Sequence, residues 1–120
     1  MSLSIQIRRI GHIVVLDLVG RLSVLEPDLR QLAWELMEQG DRFFMINLAN
    51  VTYLDNSGLG QLCWFYTVVR NRGGDLTLLR PTCRIKKLLS ITKLDTVFQL
   101  FECEADAVSA MQAFKSIVSA

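Results

Sequence analysis

The residues best suited to chemistry lie in one short polar segment, Asp55-Asn56-Ser57-Gly58-Leu59-Gly60. The apolar run from Phe43 to Leu48 precedes it and predicts a strand covered on both faces, with Asn50 and Thr52 in the loop that leaves the strand. Apolar residues then recur at helical spacing, so a helix is expected to begin at or just after Ser57. The helical positions are Leu62, Cys63, Tyr66 and Val69.

Ser57 would then lie among main-chain N–H groups that have no partner inside the helix. Its hydroxyl can cap the helix, or it can carry a phosphate that meets these donors and the positive end of the helix dipole. Asp55 is interpreted either as a turn residue whose carboxylate accepts from nearby amides, or as a group that orients Ser57 or contacts a partner. The segment therefore suits a helix cap or a modification site.

An enzymatic reading lacks several required parts. A serine after a strand resembles the nucleophile elbow of hydrolases, but Asp55 stands where that motif has glycine. The only histidine, His12, is predicted to be a solvated residue of a hairpin turn rather than a base. Gly58-Leu59-Gly60 lacks the third glycine of a dinucleotide fingerprint, and no Gly-Lys-Ser or Gly-Lys-Thr phosphate loop occurs. We predict no catalytic residues and no cofactor, so a partner protein must supply any ATP.

Length and composition limit the class of protein. The 120 residues fit a single domain over 1–120, and 51% hydrophobic against 21% charged residues is a globular composition. A net charge of +1 argues against nucleic-acid binding. No apolar run is long enough for membrane insertion, and the N-terminus lacks signal-peptide features, which predicts a soluble cytoplasmic protein. The three cysteines are an odd count without a close pair, so we predict free thiols and no metal site.

The remaining pattern predicts strands that alternate with helices after an initial hairpin. The hairpin combines an edge strand near Leu3 to Ile7 with a second strand that ends at Gly20. A helix is expected from about Glu26 to Gly40, with Pro27 in its first turn. Later elements are a strand from Asp75 to Leu79, a short amphipathic helix around Ile85, Leu88 and Leu89, a strand from Val97 to Phe101, and a final helix containing Ala107, Val108, Met111, Phe114 and Val118.

This order of elements predicts an α/β fold: a mixed, mostly parallel sheet with one antiparallel edge strand and helices packed against it.

Among the bulky aromatic residues, Trp64 lies off the apolar stripe of its helix and is expected to be exposed. The others considered as interface anchors are Trp34, Phe65 and Tyr66. The basic group Arg84, Lys86 and Lys87 is interpreted as a solvated helix face, or alternatively as a contact for an acidic partner.

With its strand and helix, the 55–60 segment resembles the signature of the STAS domain, the fold of bacterial anti-sigma factor antagonists. The resemblance extends to the Gly20-Arg21-Leu22 turn and to the strand from Leu76 to Leu79 that leads to Pro81. The chain departs from the family pattern at Asn56 and at Ser23, where antagonists often carry aspartate. The resemblance implies a single STAS-like domain in which Ser57 is phosphorylated by a partner kinase that is itself the anti-sigma factor.

The implied function is partner switching in the control of transcription. The unphosphorylated protein would bind the anti-sigma factor kinase, phosphorylation of Ser57 would release it, and a phosphoserine phosphatase would reverse the modification. The expected partner-binding residues are Arg21, Ser23, Asp55, Asn56, Gly58, Leu59 and Gly60. The alternative is a STAS accessory subunit of a membrane system that transports lipids or anions, in which no serine need be modified.

Overall fold

A computed structural model describes residues 3–23 and 28–119, the side chains of residue 28 and of residues 114–119 excepted. The described elements are β1 (Leu3–Ile10), β2 (Ile13–Leu22), α1 (Asp28–Glu38), β3 (Phe43–Leu54), α2 (Asn56–Asn71), β4 (Asp75–Leu79), α3 (Cys83–Ile91), a 3₁₀ turn (Leu94–Thr96), β5 (Gln99–Phe101) and α4 (Glu104–Ser119). The strands form one sheet in chain order, β1-β2-β3-β4-β5. β1 pairs with β2 antiparallel, and the other pairings are parallel. This confirms the predicted mixed sheet with an antiparallel edge strand.

The helices cover the two faces of the sheet unequally. The larger core lies on one face, where Ala33 of α1, Phe65 of α2 and Leu89 of α3 are fully buried together with residues such as Leu16 and Ile46. On the other face, Ala107 and Met111 of α4 pack on a smaller set that includes Val15 and Met45. Side chains of neighbouring strand residues point to opposite faces, so the central strands β2 and β3 contribute to both cores.

β2 and β3 are longer than the sequence pattern predicts. The predicted strand ends at Gly20 and Leu48 are wrong: β2 continues to Leu22 and β3 to Leu54, which pair with each other. The register between these strands shifts twice, between Asp17 and Val19 and again between Gly20 and Arg21. Each shift places an extra residue in β3, which breaks the alternation of apolar and polar residues that identifies a strand. Asn50 and Thr52 are therefore exposed strand residues and not loop residues.

Most helix predictions are confirmed where the structure describes the chain. In α1, Leu29, Ala33, Leu36 and Met37 are buried, while the expected start at Glu26 and Pro27 lies outside the described residues. In α2 the C-terminus is closed by Gly73, whose φ of +81° suits glycine. In α3, Ile85 and Leu89 are buried. In α4, Ala107 and Met111 are buried, and the side chains of Phe114 and Val118 lie outside the described residues.

Three predictions about single features need correction. β5 begins at Gln99 rather than Val97, because the N–H groups of Val97 and Phe98 donate back to the carbonyl of Leu94 at the end of the 3₁₀ turn. Trp64 is half-buried and packs against the core, whereas Trp34 is 46% exposed. His12 does lie in the hairpin turn, but it is half-buried because its ring packs edge-on against Phe43, with 5.0 Å between the ring centroids. Cys63, Cys83 and Cys103 are free thiols, as predicted.

A charged network joins the edge of the sheet to the start of α4. Arg8 of β1 donates to Asp17 of β2 at 2.6 Å and to Glu104 of α4 at 2.7 Å. The side-chain amide of Asn47 donates to the same Asp17 carboxylate at 2.8 Å. The guanidinium of Arg8 lowers the pKa of both carboxyl groups below their ordinary values. This network anchors β1, α4 and the two central strands to one another.

Candidate functional site

The candidate site is the junction between β3 and α2, and Asp55 caps the helix there. Asp55 has extended backbone dihedral angles, and its Oδ1 accepts from the main-chain N–H of Gly58 at 2.8 Å. The interpretation of Asp55 as a residue that binds nearby amides is therefore confirmed. The alternative, in which the hydroxyl of Ser57 caps the helix, is wrong, because α2 already begins at Asn56.

Ser57 is the second residue of α2 and is exposed. The first main-chain hydrogen bond of the helix runs from the N–H of Leu59 to the carbonyl of Asp55 at 2.9 Å. The N–H groups of Asn56 and Ser57 precede this bond, so they have no acceptor within the helix. An anion on the Ser57 side chain would lie beside these donors and the positive end of the helix dipole. Because Asp55 caps the helix, the hydroxyl of Ser57 is not needed as the cap and is available for modification.

The start of α2 is packed closely against the end of β2. A β-carbon added to Gly58 would overlap the carbonyl group of Leu22 and lie 2.8 Å from Cδ1 of Leu54. One helical turn further on, Nε2 of Gln61 donates to the main-chain carbonyl of Ser23 at 2.6 Å, and both residues are buried. These two contacts fix Leu22 and Ser23 beside the first turn of α2. The structure thus brings together the two segments in which partner-binding residues were predicted.

Arg21 and Tyr53 form an exposed pair near the carboxyl ends of β2 and β3, where both strands continue beyond their predicted ends. They are partners in the β2–β3 register, and the guanidinium carbon of Arg21 lies 3.9 Å from the centre of the Tyr53 ring. A cation held over an aromatic face is attracted by the ring and keeps a defined position. A pair of this kind gives a binding surface both a charge and an apolar face.

The predicted partner-binding residues divide into exposed and buried groups. Arg21, Asn56 and Gly60 are exposed, as is the proposed modification site Ser57, and Asp55 is half-buried. Ser23 and Leu59 are each only 5% exposed, and Gly58 is buried against β2. The buried residues can influence binding by holding the junction in shape, while direct contact falls to the exposed ones.

The surroundings of Ser57 do not provide hydrolase chemistry. His12 precedes Ile13, which pairs with Phe43 at the start of β3, whereas Ser57 follows the end of that strand. At about 3.3 Å per residue, β3 separates the two by roughly 35 Å.

Within residues 3–23 and 28–119 there is no group of three or more His, Cys, Asp or Glu residues positioned to hold a metal ion. No helix in the same part of the chain is long and apolar enough to cross a membrane.

Residues 4–107 match the family model of the STAS domain. The chain belongs to the STAS domain family. This match covers most of the chain, including β2 to β5, all of β1 except its first residue, and the β3–α2 junction. The STAS domain resemblance predicted from the 55–60 segment is thereby confirmed.

Named relatives of this STAS domain include an anti-sigma factor antagonist. This chain is 28% identical over 101 residues to the anti-sigma-B factor antagonist of Bacillus subtilis, and the alignment covers 83% of this chain and 92% of the relative. Its fold is similar to the crystal structure of an anti-sigma factor antagonist from Mycobacterium paratuberculosis, with a TM-score of 0.82, 20% identity, and coverage of 92% and 95% of the two chains. It also resembles the Bacillus cell fate determinant SpoIIAA in its phosphorylated form, with a TM-score of 0.72, 20% identity, and coverage of 89% and 98%.

Sequence reasoning missed two residues that shape this part of the STAS domain. Tyr53 was not singled out, although its aromatic character and its position two residues before Asp55 are compatible with a strand end. Gln61 occupies a buried position on the inner face of α2. A polar residue within an apolar stripe is a usable signal, because a buried amide normally has a hydrogen-bond partner. Nothing in the sequence identified that partner as the carbonyl of Ser23.

Proposed function

We propose that this STAS domain is an anti-sigma factor antagonist that acts by partner switching, and that it is not an enzyme. In this proposal the unphosphorylated protein binds an anti-sigma factor that is also a serine kinase. Phosphorylation of Ser57 releases the partner, and a phosphoserine phosphatase restores binding. The observation that carries the proposal is the position of Ser57, exposed in the first turn of α2 beside two N–H groups that precede the first helical hydrogen bond.

The position of Ser57 suits a switch because a phosphate there changes the surface more than the fold. The modification adds a charge of about −1.5 to −2 at an exposed residue, so the free protein keeps it hydrated. In a complex the same phosphate would lose water against a surface shaped for a hydroxyl, which costs several kcal/mol. A change from almost fully bound to almost fully free needs about 5.5 kcal/mol of differential affinity. One buried phosphate can supply most of this difference.

The relatives support the choice of partner. The Bacillus subtilis relative carries the name anti-sigma-B factor antagonist, and a protein with this fold exists in a phosphorylated form. The exposed residues around Ser57, namely Arg21, Asn56 and Gly60, give the proposed interface a charge, an amide and a flat glycine surface. Arg21 stacked on Tyr53 is the proposed centre of recognition on the β2 side.

The test is calorimetric titration of the cognate anti-sigma factor with unmodified protein, with protein phosphorylated at Ser57, and with Ser57→Asp. We expect phosphorylation to weaken binding by at least 100-fold, about 2.8 kcal/mol, and Ser57→Asp to weaken it less because it carries less charge and bulk. Ser90→Asp, an exposed serine of α3, is the matched charge control and should bind normally. Equal affinity of the unmodified and phosphorylated proteins would contradict the switch and favour the transport-subunit alternative.

A further inference from the structure

A groove lies between the carboxyl-terminal part of β3 and the helix α3. Residues 51–54 form one wall, and Ile85 and Leu88 of α3 form the other, with Thr82 and Arg84 near the start of that helix. The groove has a volume of about 250 Å³. Binding sites for complete small molecules usually enclose about 300 to 1,000 Å³. This groove is therefore better suited to one or two side chains of an extended polymer than to a whole cofactor.

The β3 wall of the groove is an open strand edge. β4 pairs with β3 only from Phe43 to Asn47, because β4 ends at Leu79. β3 continues to Leu54, and among the described residues no strand pairs with 48–54 on the β4 side. Thr52 and Tyr53 on this edge are exposed. Main-chain N–H and C=O groups on an open edge are a template for another strand.

The charges around the groove favour an acidic occupant. Arg84 is the only charged residue among the described residues that line it, and its side chain is exposed. The groove also lies at the N-terminal end of α3, where the helix dipole is positive. On the β3 side, Tyr53 lines the groove, and the guanidinium carbon of Arg21 lies 3.9 Å from the centre of the Tyr53 ring, which adds a second cation near the groove. The nearest carboxylate along the chain, that of Asp55, is held by the N–H of Gly58.

We propose that this groove binds a short, extended, acidic peptide segment of another protein, which adds as a strand to the open edge of β3. The peptide main chain pairs with residues 51–54, an apolar side chain packs against Ile85 and Leu88, and a carboxylate binds Arg84. Strand addition of this type draws affinity from main-chain hydrogen bonds and specificity from side-chain pockets. The proposal does not rest on the switch, because Ser57 does not line the groove; Tyr53 is shared, since it lines the groove and also carries Arg21 of the proposed anti-sigma factor surface.

Two measurements on the full chain test the peptide site. The first is fluorescence anisotropy with a capped, fluorescein-labelled peptide in which valine and glutamate alternate. The control peptides replace glutamate by lysine or carry N-methyl groups on all amides, which removes the donors needed for strand pairing. We expect saturable binding of the acidic peptide and a loss of at least tenfold for each control. Absence of saturable binding, or equal binding of the three peptides, would overturn the proposal.

The second measurement locates the peptide. Amide chemical shifts in labelled protein should change at residues 51–54 and 82–88 on addition of the acidic peptide. Arg84→Gln should weaken binding by about tenfold, because it removes one charge-assisted contact. Lys86→Gln is the matched control, because it removes the same charge from the same helix. Lys86 is paired with Glu102 at 2.8 Å and does not line the groove. Shifts confined to other elements, or equal effects of the two variants, would also overturn the proposal.

Discussion

The main-chain carbonyl of Leu22 occupies the space in which a β-carbon on Gly58 would lie. This relationship places the end of β2 directly against the first turn of α2 and explains why glycine is needed at position 58. At Gly60, two residues later, no described atom outside the neighbouring residues and the backbone of α2 itself lies within 4 Å of the equivalent position. The two glycines of the same motif therefore have different roles, the first in packing and the second at an open surface.

The first prediction concerns this difference. Gly58→Ala should destabilise the protein by at least about 2 kcal/mol, because the new methyl group overlaps main-chain atoms that cannot rotate away. Gly60→Ala is the matched control and should stabilise by about 0.5 to 1 kcal/mol, because alanine is the better helix former and has free space there. Urea unfolding of both variants measures the two effects. Equal stability of the two variants would show that β2 moves aside without cost.

The second prediction assigns the helix cap. Asp55→Ala should lower the free energy of unfolding by about 1 kcal/mol, because the N–H of Gly58 loses its acceptor. Asp55→Asn keeps an oxygen at the same place and should lose little. Ser57→Ala should change stability by less than about 0.5 kcal/mol, since an exposed side chain that is not the cap contributes little. A larger loss for Ser57→Ala than for Asp55→Ala would restore the serine as the cap.

The sequence predicted the fold well because most elements carry complete local signals. β4 is bounded by Gly74 and Pro81 and was predicted from Asp75 to Leu79, as observed. β3 was cut short because Asn50 and Thr52 interrupt the apolar run from which it was predicted, and its register shifts disturb the alternation that would identify the remaining residues as a strand. Its last residues are a strand only because β2 lies beside them. That pairing depends on tertiary structure and is not encoded in the pattern of either segment alone.

The candidate site was predicted in position but not in detail. The segment from Asp55 to Gly60 was correctly placed where a strand leads into a helix, but α2 begins at Asn56 and not at or just after Ser57 as predicted. Both Asp55 and Ser57 are good capping residues, so sequence propensity could not decide between them. The choice depends on where α2 starts, and the structure places that start at Asn56, with Gly58 packed against Leu22 in the first turn. This contact between distant segments has no local signal.

The third prediction concerns acid stability. Hydrogen bonds from Arg8 lower the pKa of Asp17 and of Glu104 in the folded protein. Their ionised forms therefore favour folding. This stabilisation is complete above the unfolded-state pKa values, near 3.8 for Asp17 and 4.5 for Glu104, and is lost as the pH falls through the lower folded-state values. The free energy of unfolding should decrease as the pH is lowered below about 4.5.

Two variants separate this network from general effects of acid. Asp17→Asn should cost about 1 to 2 kcal/mol at pH 7, a value reduced by the partial exposure of Arg8, and should flatten the decrease below pH 4.5. Asp95→Asn removes an exposed carboxylate that has no ion pair among the described residues, so it should leave the pH profile unchanged. Urea unfolding from pH 7 downward measures both profiles. Identical profiles for the two variants would contradict a specific role of the Arg8 network.

The fourth prediction is that phosphorylation of Ser57 leaves the fold of the free protein intact. The start of α2 stabilises the added anion by about 0.5 to 2 kcal/mol, because the N–H groups of Asn56 and Ser57 are free of helical acceptors. Asp55 opposes this effect, since its carboxylate is nearby and is already held by Gly58. Between hydrated charges the repulsion is of similar size, so the two contributions nearly cancel.

The measurement compares the unfolding free energies of unmodified protein, protein phosphorylated at Ser57, and the variants Ser57→Asp and Ser57→Asn. All four should agree within about 1 kcal/mol, because the side chain is exposed and each electrostatic effect is small in water. Ser57→Asn matches Ser57→Asp in size but has no charge, so the difference between them isolates the electrostatic contribution. Added salt should reduce that difference, since it screens exposed charges. If phosphorylation lowers the free energy of unfolding by more than about 2 kcal/mol, the modification acts by disrupting the β3–α2 junction. Release of the partner would then follow from local unfolding and not from a conflict at the interface.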